Sequence, residues 1–325
     1  MILAGDIGGT KVNLAYFDLD GDALIPVLLK SYPSREFQSL SDLLRRLRNE
    51  HPATIAAAAF GVAGPVVDGS SKLTNLGWMI DSREISSLLK LKHVGLINDL
   101  GATAYGSLRL AQNEMLALNK GTPQRHAAIA VIAAGTGLGE GGLIWDGKRY
   151  RAIPSEGGHT EFGPRNETEM ELLRFLLTKY SRVSYERIVA GPGFMHLYEF
   201  FRSRATYPEP LWLKEKMASE DPAAAISEAG INGTDDVCVQ VVKTFASIYG
   251  AEAGNLALKI LGTGGVYVGG GIAPKILPMI KEQFMPSFVT KGRYSDLMKQ
   301  MPVYVILNEK TALLGAAHYA LVMDE

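Results

Sequence analysis

Apolar positions follow two different periods along the chain, and the period changes repeatedly. Short apolar runs that end in glycine, asparagine or aspartate predict buried strands; the N-terminal MILAGDIGG and the later TIAAAAFGV are of this kind. The segment FQSLSDLLRRLRNEH carries apolar residues at helical spacing, which predicts an amphipathic helix. Predicted strands and helices alternate to the end of the chain, so we expect an α/β protein with mixed sheets flanked by helices.

Capping residues predict where several helices begin. Ser82 is the predicted N-cap of SREISSLLKLK, and Thr168 with Glu171 predicts a capping box for TEMELLRFLLTKY. One continuous helix is expected after the strand in GGVYVGGGIAPKILPMIKEQF, with Pro274 where that helix begins.

One supersecondary unit, a strand followed by a glycine-rich turn and a second strand, is used twice. Its copies are LAGDIGGTKVNLAYF and AVIAAGTGLGEGGLIW. The length of 325 residues suggests two domains. We expect a small α/β domain at residues 1–98 and a large α/β domain at residues 99–303. Because chain termini often lie close together, residues 304–325 are expected to complete the small domain.

Composition and charge exclude several classes of partner. Apolar residues make up 47% of the chain and the net charge is −1, so we expect a folded protein without nucleic-acid or membrane partners. The N-terminus has no positively charged region typical of a signal peptide. Cys238 is the one cysteine, which excludes an intramolecular disulfide and a cysteine-rich zinc site and fits the reducing cytoplasm.

The turn DIGGTK has the residues of a phosphate cradle. Gly8 and Gly9 can bring backbone N–H groups close to a ligand, and Thr10 and Lys11 add a hydroxyl and a cation. Asp6 lies just before the turn, and an acid beside a phosphate usually serves Mg²⁺, directly or through water. The alternative is a simple hairpin turn with an exposed aspartate.

The other glycine-rich turns also suit a nucleotide. GTGLGEGG matches the spacing of dinucleotide-binding folds, but a strand follows it where that fingerprint requires a helix. A hairpin whose amides and Thr136 hydroxyl face phosphate oxygens fits better. In VGGGIAPK, Gly269–Gly271 would let a flat ring approach the backbone; the alternative is a closely packed turn between strand and helix.

Asn98 and Asp99 follow a predicted buried strand in VGLINDLGATAYG. A carboxylate there could act as the base for a phosphoryl acceptor, and the neighbouring amide could bind a polyol. The competing interpretation is that the pair caps the following helix.

A second polar group comes from PSEGGHTEFGP and SYERIVAGPG. Glu156 and His159 suit vicinal hydroxyls, and Glu186 adds another carboxylate. A solvated loop and a surface or capping acid are the respective alternatives. A metal site at His159 has no second histidine nearby to support it.

These motifs together resemble the bacterial glucokinases of the hexokinase and actin superfamily. The matching segments, in chain order, are DIGGTK, FGVAGPV, TNLGW, INDLGATAYG, AAGTGLGEG, PSEGGHTEFGP, SYERIVAGPG and VGGGIAPK. The resemblance implies a two-domain actin-like ATPase (ribonuclease H-like) fold with a cleft between the domains. It also implies a cytoplasmic protein, commonly a homodimer, that transfers the γ-phosphate of ATP to the 6-hydroxyl of glucose at the entry to glycolysis.

The resemblance also assigns roles to residues. Asp99 becomes the general base, and the sugar ligands become Asn98, Asp99, Glu156, His159 and Glu186. Asp6 lies on the Mg²⁺ side, and ATP is held by Gly8, Gly9, Thr10, Lys11, Gly135, Thr136, Gly137, Gly270 and Gly271. The alternatives are a kinase for another hexose or an N-acetylhexosamine, and a non-catalytic sugar sensor.

Overall fold

The structure is a computed structural model that describes residues 1–73 and 75–323. The strands are β1 (Ile2–Ile7), β2 (Lys11–Asp20), β3 (Ala23–Pro33), β4 (Ala57–Val62), β5 (Ser70–Leu73), β6 (Trp78–Asp81), β7 (Gly95–Asn98), β8 (Met115–Asn119), β9 (Ile129–Ala134), β10 (Leu138–Trp145), β11 (Tyr150–Ile153), β12 (Gly265–Gly269) and β13 (Val303–Ile306). The helices are α1 (Leu40–Glu50), α2 (Ser82–Leu89), α3 (Asp99–Ser107), α4 (Glu167–Leu177), α5 (Gly191–Arg202), α6 (Leu211–Ser219), α7 (Pro222–Asn232), α8 (Asp236–Ile260), α9 (Ile272–Lys275), α10 (Leu277–Met279), α11 (Met285–Val289), α12 (Ser295–Gln300) and α13 (Thr311–Val322).

The chain divides into two compact units. The first contains Met1–Glu114, Trp145–Ile153 and the residues from Asn308 on; the second contains Met115–Ile144 and Pro154–Leu307. The expected boundary between residues 98 and 99 lies inside the first unit, because α3 packs against α13 there. The C-terminal return to the first unit begins at Asn308 where we expected residue 304, and residues 324 and 325 lie outside the described chain.

The first unit is built on a mixed sheet with strand order β3-β2-β1-β4-β7. β1 pairs antiparallel with β2 and parallel with β4, and β4 pairs parallel with β7. Alternate residues of β1 point to opposite faces of this sheet. Leu3 and Ile7 join a core with the apolar face of α1, whereas Ile2 and Ala4 join a separate core with α13.

The second unit repeats this arrangement. Its sheet contains the strand order β10-β9-β12-β13-β8; β9 and β10 form an antiparallel pair, while β9, β12 and β13 are parallel. The long helix α8 is buried along much of its length and packs with the sheet in the largest core. The twice-used strand, turn and strand unit is thus present in both sheets.

Three local expectations differ from the structure. Asp81 rather than Ser82 caps α2, since its carboxylate accepts from the Arg83 N–H at 2.8 Å. Asn166 rather than Thr168 caps α4, accepting from the Glu169 N–H at 3.0 Å. The helix expected after β12 is broken into α9, α10, a π-helical turn and α11, in a segment that contains three prolines.

Within the described residues, the helices are too short or too polar to cross a membrane.

Candidate active site

The first glycine turn joins β1 to β2 and is fixed by the neighbouring segment. The Gly8 N–H donates to the Lys11 carbonyl at 3.1 Å. The Ser34 hydroxyl donates to the Gly8 carbonyl at 2.8 Å, and the Ser34 N–H donates to the Thr10 carbonyl at 3.0 Å. Gly9 is half-buried, and Thr10 and Lys11 are exposed, so both side chains can reach a ligand.

Asp6 lies at the end of β1 and is partly buried. The Asn13 amide donates to its Oδ2 at 3.3 Å. Burial raises the pKa of Asp6, while the Asn13 hydrogen bond and the charge of Lys11 partly oppose that rise. An ionised carboxylate at this place fits a Mg²⁺ ion for which water and phosphate oxygens supply most of the ligands.

Asn98 is the N-cap of α3, as the capping interpretation predicted. Its Oδ1 accepts from the Leu100 N–H at 2.9 Å, and its Nδ2 donates to the Gly64 carbonyl at 3.2 Å. Asp99 is the first residue of α3, and its Oδ1 also accepts from the Leu100 N–H, at 2.8 Å. Asn98 and Asp99 therefore begin α3, independently of any chemical role.

Within the first unit, Asp6 and Asp99 lie at the same edge of the sheet. Asp6 pairs with Gly61 of β4, and the next residue of β4 pairs with Asn98. A Cβ on Gly61 would lie 3.9 Å from the Asp99 Cα and 3.0 Å from the Ala102 Cβ. A glycine at this position therefore lets α3 start close against the sheet.

The second glycine turn joins β9 to β10. The Gly135 N–H donates to the Gly137 carbonyl at 2.9 Å, and the Gly135 carbonyl accepts from Gly191 at 2.8 Å. Beneath the turn, the buried Tyr249 hydroxyl accepts from the Ala134 N–H at 3.1 Å and donates to the Gly269 carbonyl at 3.1 Å. Tyr249 of α8 therefore ties together the strands that lead into two glycine turns.

The third glycine turn follows β12. Gly270 has φ +80°, and a Cβ there would lie 2.1 Å from the Ala134 carbonyl oxygen, so both backbone conformation and packing require glycine. Gly271 has open space beside it.

A cavity of about 720 Å³ brings Gly271 together with Gly135 and Thr136. Helix α7 supplies one side of this cavity through residues that the sequence did not single out, among them Ser227 and Asn232; Phe194 and Lys275 also line it. The α7 residues lie in a segment without a recognisable motif, so no sequence signal pointed to them, whereas Lys275 is the last residue of VGGGIAPK. The cavity lies within the second unit and has room for a nucleoside.

Two predicted sugar ligands of the second unit, His159 and Glu186, lie close together beside the second glycine turn. Residues 160–162 and 183–185 are joined by hydrogen bonds from Phe162 N to Val183 O at 2.9 Å and from Tyr185 N to Thr160 O at 3.0 Å. This places His159 Nδ1 3.7 Å from Glu186 Oε1.

Glu156 is linked to His159 through the backbone, and Glu186 is held at the start of β10. The Glu156 carbonyl accepts from the His159 N–H at 3.0 Å, so both residues belong to one tight turn. Glu186 Oε2 accepts from the Leu138 N–H at 3.0 Å, at the start of β10. The cluster is partly open to solvent, since the side chains of His159 and Glu186 are 56% and 31% exposed.

Among residues 1–73 and 75–323, no three histidine, cysteine, aspartate or glutamate side chains converge as a metal-binding group. A metal at Asp6 would therefore not be enclosed by three such side chains of the described residues.

Comparison with known proteins gives one consistent result. A family model described as glucokinase matches residues 3–323. The chain is 42% identical to a glucokinase from Nostoc sp. over 98% of both chains, and 42% identical to one from Synechocystis sp. over 97% of this chain and 96% of that one.

Solved structures agree in fold. A glucokinase from an Antarctic psychrotroph superimposes with a TM-score of 0.88 at 29% identity, over 98% of each chain. A ROK-family glucokinase from Streptomyces griseus, in complex with glucose and AMPPNP, has a TM-score of 0.66 at 22% identity, over 98% of this chain and 99% of that one. The predicted actin-like ATPase fold, with mixed sheets flanked by helices, is confirmed.

Proposed function

The chain belongs to the glucokinase family, and from that premise we propose that Asp99 is the general base in the transfer of a phosphoryl group from ATP to the 6-hydroxyl of glucose. The observation that carries the assignment is the position of Asp99, at the sheet edge that also holds Asp6 and the first glycine turn. The enzyme is a sugar kinase, a phosphotransferase with a hydroxyl acceptor.

The sugar is held by carboxylates, an imidazole and an amide. Glu156, His159 and Glu186 form a group that can accept from and donate to neighbouring hydroxyls. One oxygen of Glu186 already accepts from the Leu138 N–H, so the other faces the sugar side beside His159. Asn98 already uses one N–H and its oxygen within the protein, so its sugar contact uses the second N–H of Nδ2 or the remaining lone pair of Oδ1.

ATP is held by the three glycine turns. The nucleoside occupies the cavity lined by Thr136 and Gly271, and Gly270 lets the backbone approach closely. The turns at Gly8–Thr10 and Gly135–Gly137 offer amides and hydroxyls to the phosphates, and the Lys11 cation adds charge. Asp6 would hold Mg²⁺ through water, and the ion would supply charge neutralisation on the phosphates.

The chemical step requires one proton acceptor. A bond forms between the sugar O6 and the γ-phosphorus as the bond from that phosphorus to the bridging oxygen breaks, and ADP leaves. The O6 proton passes to a carboxylate oxygen of Asp99. Glucose 6-phosphate and ADP are the products.

The test is the Asp99→Asn variant assayed with glucose, ATP and Mg²⁺. The amide keeps an acceptor for the Leu100 N–H but is not a base, so kcat should fall by ~10²–10⁴-fold with little change in the circular dichroism spectrum. Full activity of the variant would refute the base assignment. Omission of Mg²⁺ in the same assay tests the metal requirement.

We further propose that the protein works in the cytoplasm as a homodimer, without nucleic-acid or membrane partners. The family resemblance supports the dimer and the compartment. The near-neutral net charge of −1 and the free, buried thiol of Cys238 are compatible with this assignment.

A further inference from the structure

Two carboxyl groups lie buried against each other in the second unit, behind the turn that carries Glu156 and His159. Glu140 of β10 is 1% exposed and Glu252 of α8 is fully buried. The Glu140 side chain is within hydrogen-bonding reach of Glu252. Two carboxyls can bond to each other only when one of them holds a proton.

The surroundings of the two carboxyl groups differ. Glu252 accepts from the Asn255 amide at 2.7 Å and lies 3.3 Å from the Lys259 ammonium, so a donor and a cation already contact its carboxyl group. Glu140 Oε1 meets no N–H or O–H donor in the described part of the chain. The proton therefore resides on Glu140, and burial and the charge of Glu252 raise its pKa to about 8.

The turn at Gly157 and Gly158 rests directly on β10. A Cβ added to Gly157 would lie 2.3 Å from Glu140 Oε2, and one added to Gly158 would lie 2.0 Å from the Leu138 carbonyl oxygen. The Glu140 carboxyl thus forms the surface on which Gly157 sits. Glu156 and His159 flank the two glycines, so their positions depend on that surface.

We propose that Glu140, as a neutral carboxylic acid bonded to Glu252, is a positioning residue that sets where Glu156 and His159 meet the sugar. This inference rests on the proposed glucose-binding role of that turn. Ionisation of Glu140 places two buried negative charges together, which separates the carboxyls and displaces Gly157. Glucose binding is then weaker at alkaline pH, whereas the chemical step at Asp99 is not directly changed.

Other titratable and charged groups surround the pair. Lys259 faces it from α8, and the Tyr249 hydroxyl lies under the influence of Glu140. Lys291 and Tyr185 also interact with Glu252, and the Arg165 charge acts on both of them. Burial lowers the pKa of Lys291 to about 8, so this ammonium loses its charge over the same range and needs its own control.

The experiment measures KM for glucose and kcat between about pH 6.5 and pH 9 for the parent enzyme and Glu140→Gln. The amide keeps the shape and a donor for Glu252 but does not titrate. The parent KM should rise several-fold above about pH 8, and that rise should be absent in Glu140→Gln. Glu140→Ala, which leaves Gly157 unsupported, should raise KM about tenfold at neutral pH with a smaller change in kcat.

Two controls separate the causes. Glu199→Gln, the same substitution at an exposed position, should keep the parent profile. Lys291→Met tests whether the ammonium causes the alkaline rise; if the rise disappears there and persists in Glu140→Gln, the inference is wrong.

A measurement without turnover provides a second test. A carboxyl whose folded-state pKa is raised above the ordinary 4.5 stabilises the fold fully below pH 4.5, and that stability is lost as the pH rises toward about 8. Glu140→Gln should flatten the decline of the unfolding free energy in that window. An unchanged decline, or an unchanged KM profile in an enzyme active on glucose, would overturn the inference; a parent enzyme inactive on glucose would overturn the proposed function as well.

Discussion

At the scale of single residues, Asn98 and Asp99 each have a structural role and a proposed chemical role. The two interpretations offered by the sequence, helix cap and reaction site, are compatible, because Asn98 caps α3 while Asp99 starts it. The motif predicted both residues. Glu140 was not predictable in the same way, since its partner Glu252 is distant in sequence and only the fold brings the two together.

His318 gives a residue-scale prediction about acid stability. It is buried and accepts from Arg109 Nε at 2.8 Å, and burial, with the Arg109 charge, lowers its pKa to about 4. A histidine with a depressed pKa stabilises the fold above its ordinary 6.5, and this stability is lost as pH falls toward about 4.

The His318→Gln variant keeps an acceptor for Arg109 and does not titrate. In denaturant unfolding, the parent should lose up to about 1.4 kcal/mol of unfolding free energy per pH unit in this acid window. The His318→Gln variant should not show this loss. His93→Gln, at an exposed position, is the matched control. An identical acid slope in parent and His318→Gln would contradict the prediction.

At the scale of elements, α3 and α13 pack through glycines. A Cβ on Gly315 of α13 would lie 1.7 Å from the Ala102 carbonyl oxygen, and one on Gly106 of α3 would lie 2.0 Å from the Thr311 carbonyl oxygen. The capping interpretation of Asn98 and Asp99 implied a helix at α3. It did not predict that α3 and α13 touch, since helical periodicity shows a buried face but not its neighbour.

Gly315→Ala should therefore disturb the element that carries Asp99. Alanine favours helix by up to about 1 kcal/mol, but the clash with backbone outweighs this, and overpacking of this kind typically costs ~1–3 kcal/mol. We expect a lower melting temperature and a reduced kcat. Gly64→Ala has its nearest contact at 3.6 Å and should melt close to the parent. Equal melting temperatures for the two variants would contradict this prediction, because they would mean that α13 shifts to accommodate the methyl group without a loss of stability.

At the scale of the whole molecule, the strand–turn–strand unit and the alternation of strands and helices were enough to predict the fold class. The place where the units divide was harder to predict, because α3 directly follows a strand and its neighbour α13 lies at the other end of the chain. The nucleoside cavity was only partly predictable. Its glycine turns belong to recognisable motifs, whereas α7 has an alanine-rich sequence without a motif.

Assembly is the prediction that belongs to this scale. As a homodimer, the protein should show about twice the 35.1 kDa chain mass in light scattering coupled to size exclusion. The mass should persist on dilution through the concentration range of an activity assay. A single-chain mass at every concentration would rule out the dimer.

The place of α13 in the first unit has a consequence for biosynthesis. One face of the first sheet, with Ile2, Ala4 and Phe17, is covered by the apolar side chains of α13. β1 and β2 are translated long before α13, so the growing polypeptide carries an exposed apolar surface until α13 has been made. The first unit therefore completes its folding only after α13 has been synthesised, and we expect a chain truncated before α13 to expose this surface to chaperones.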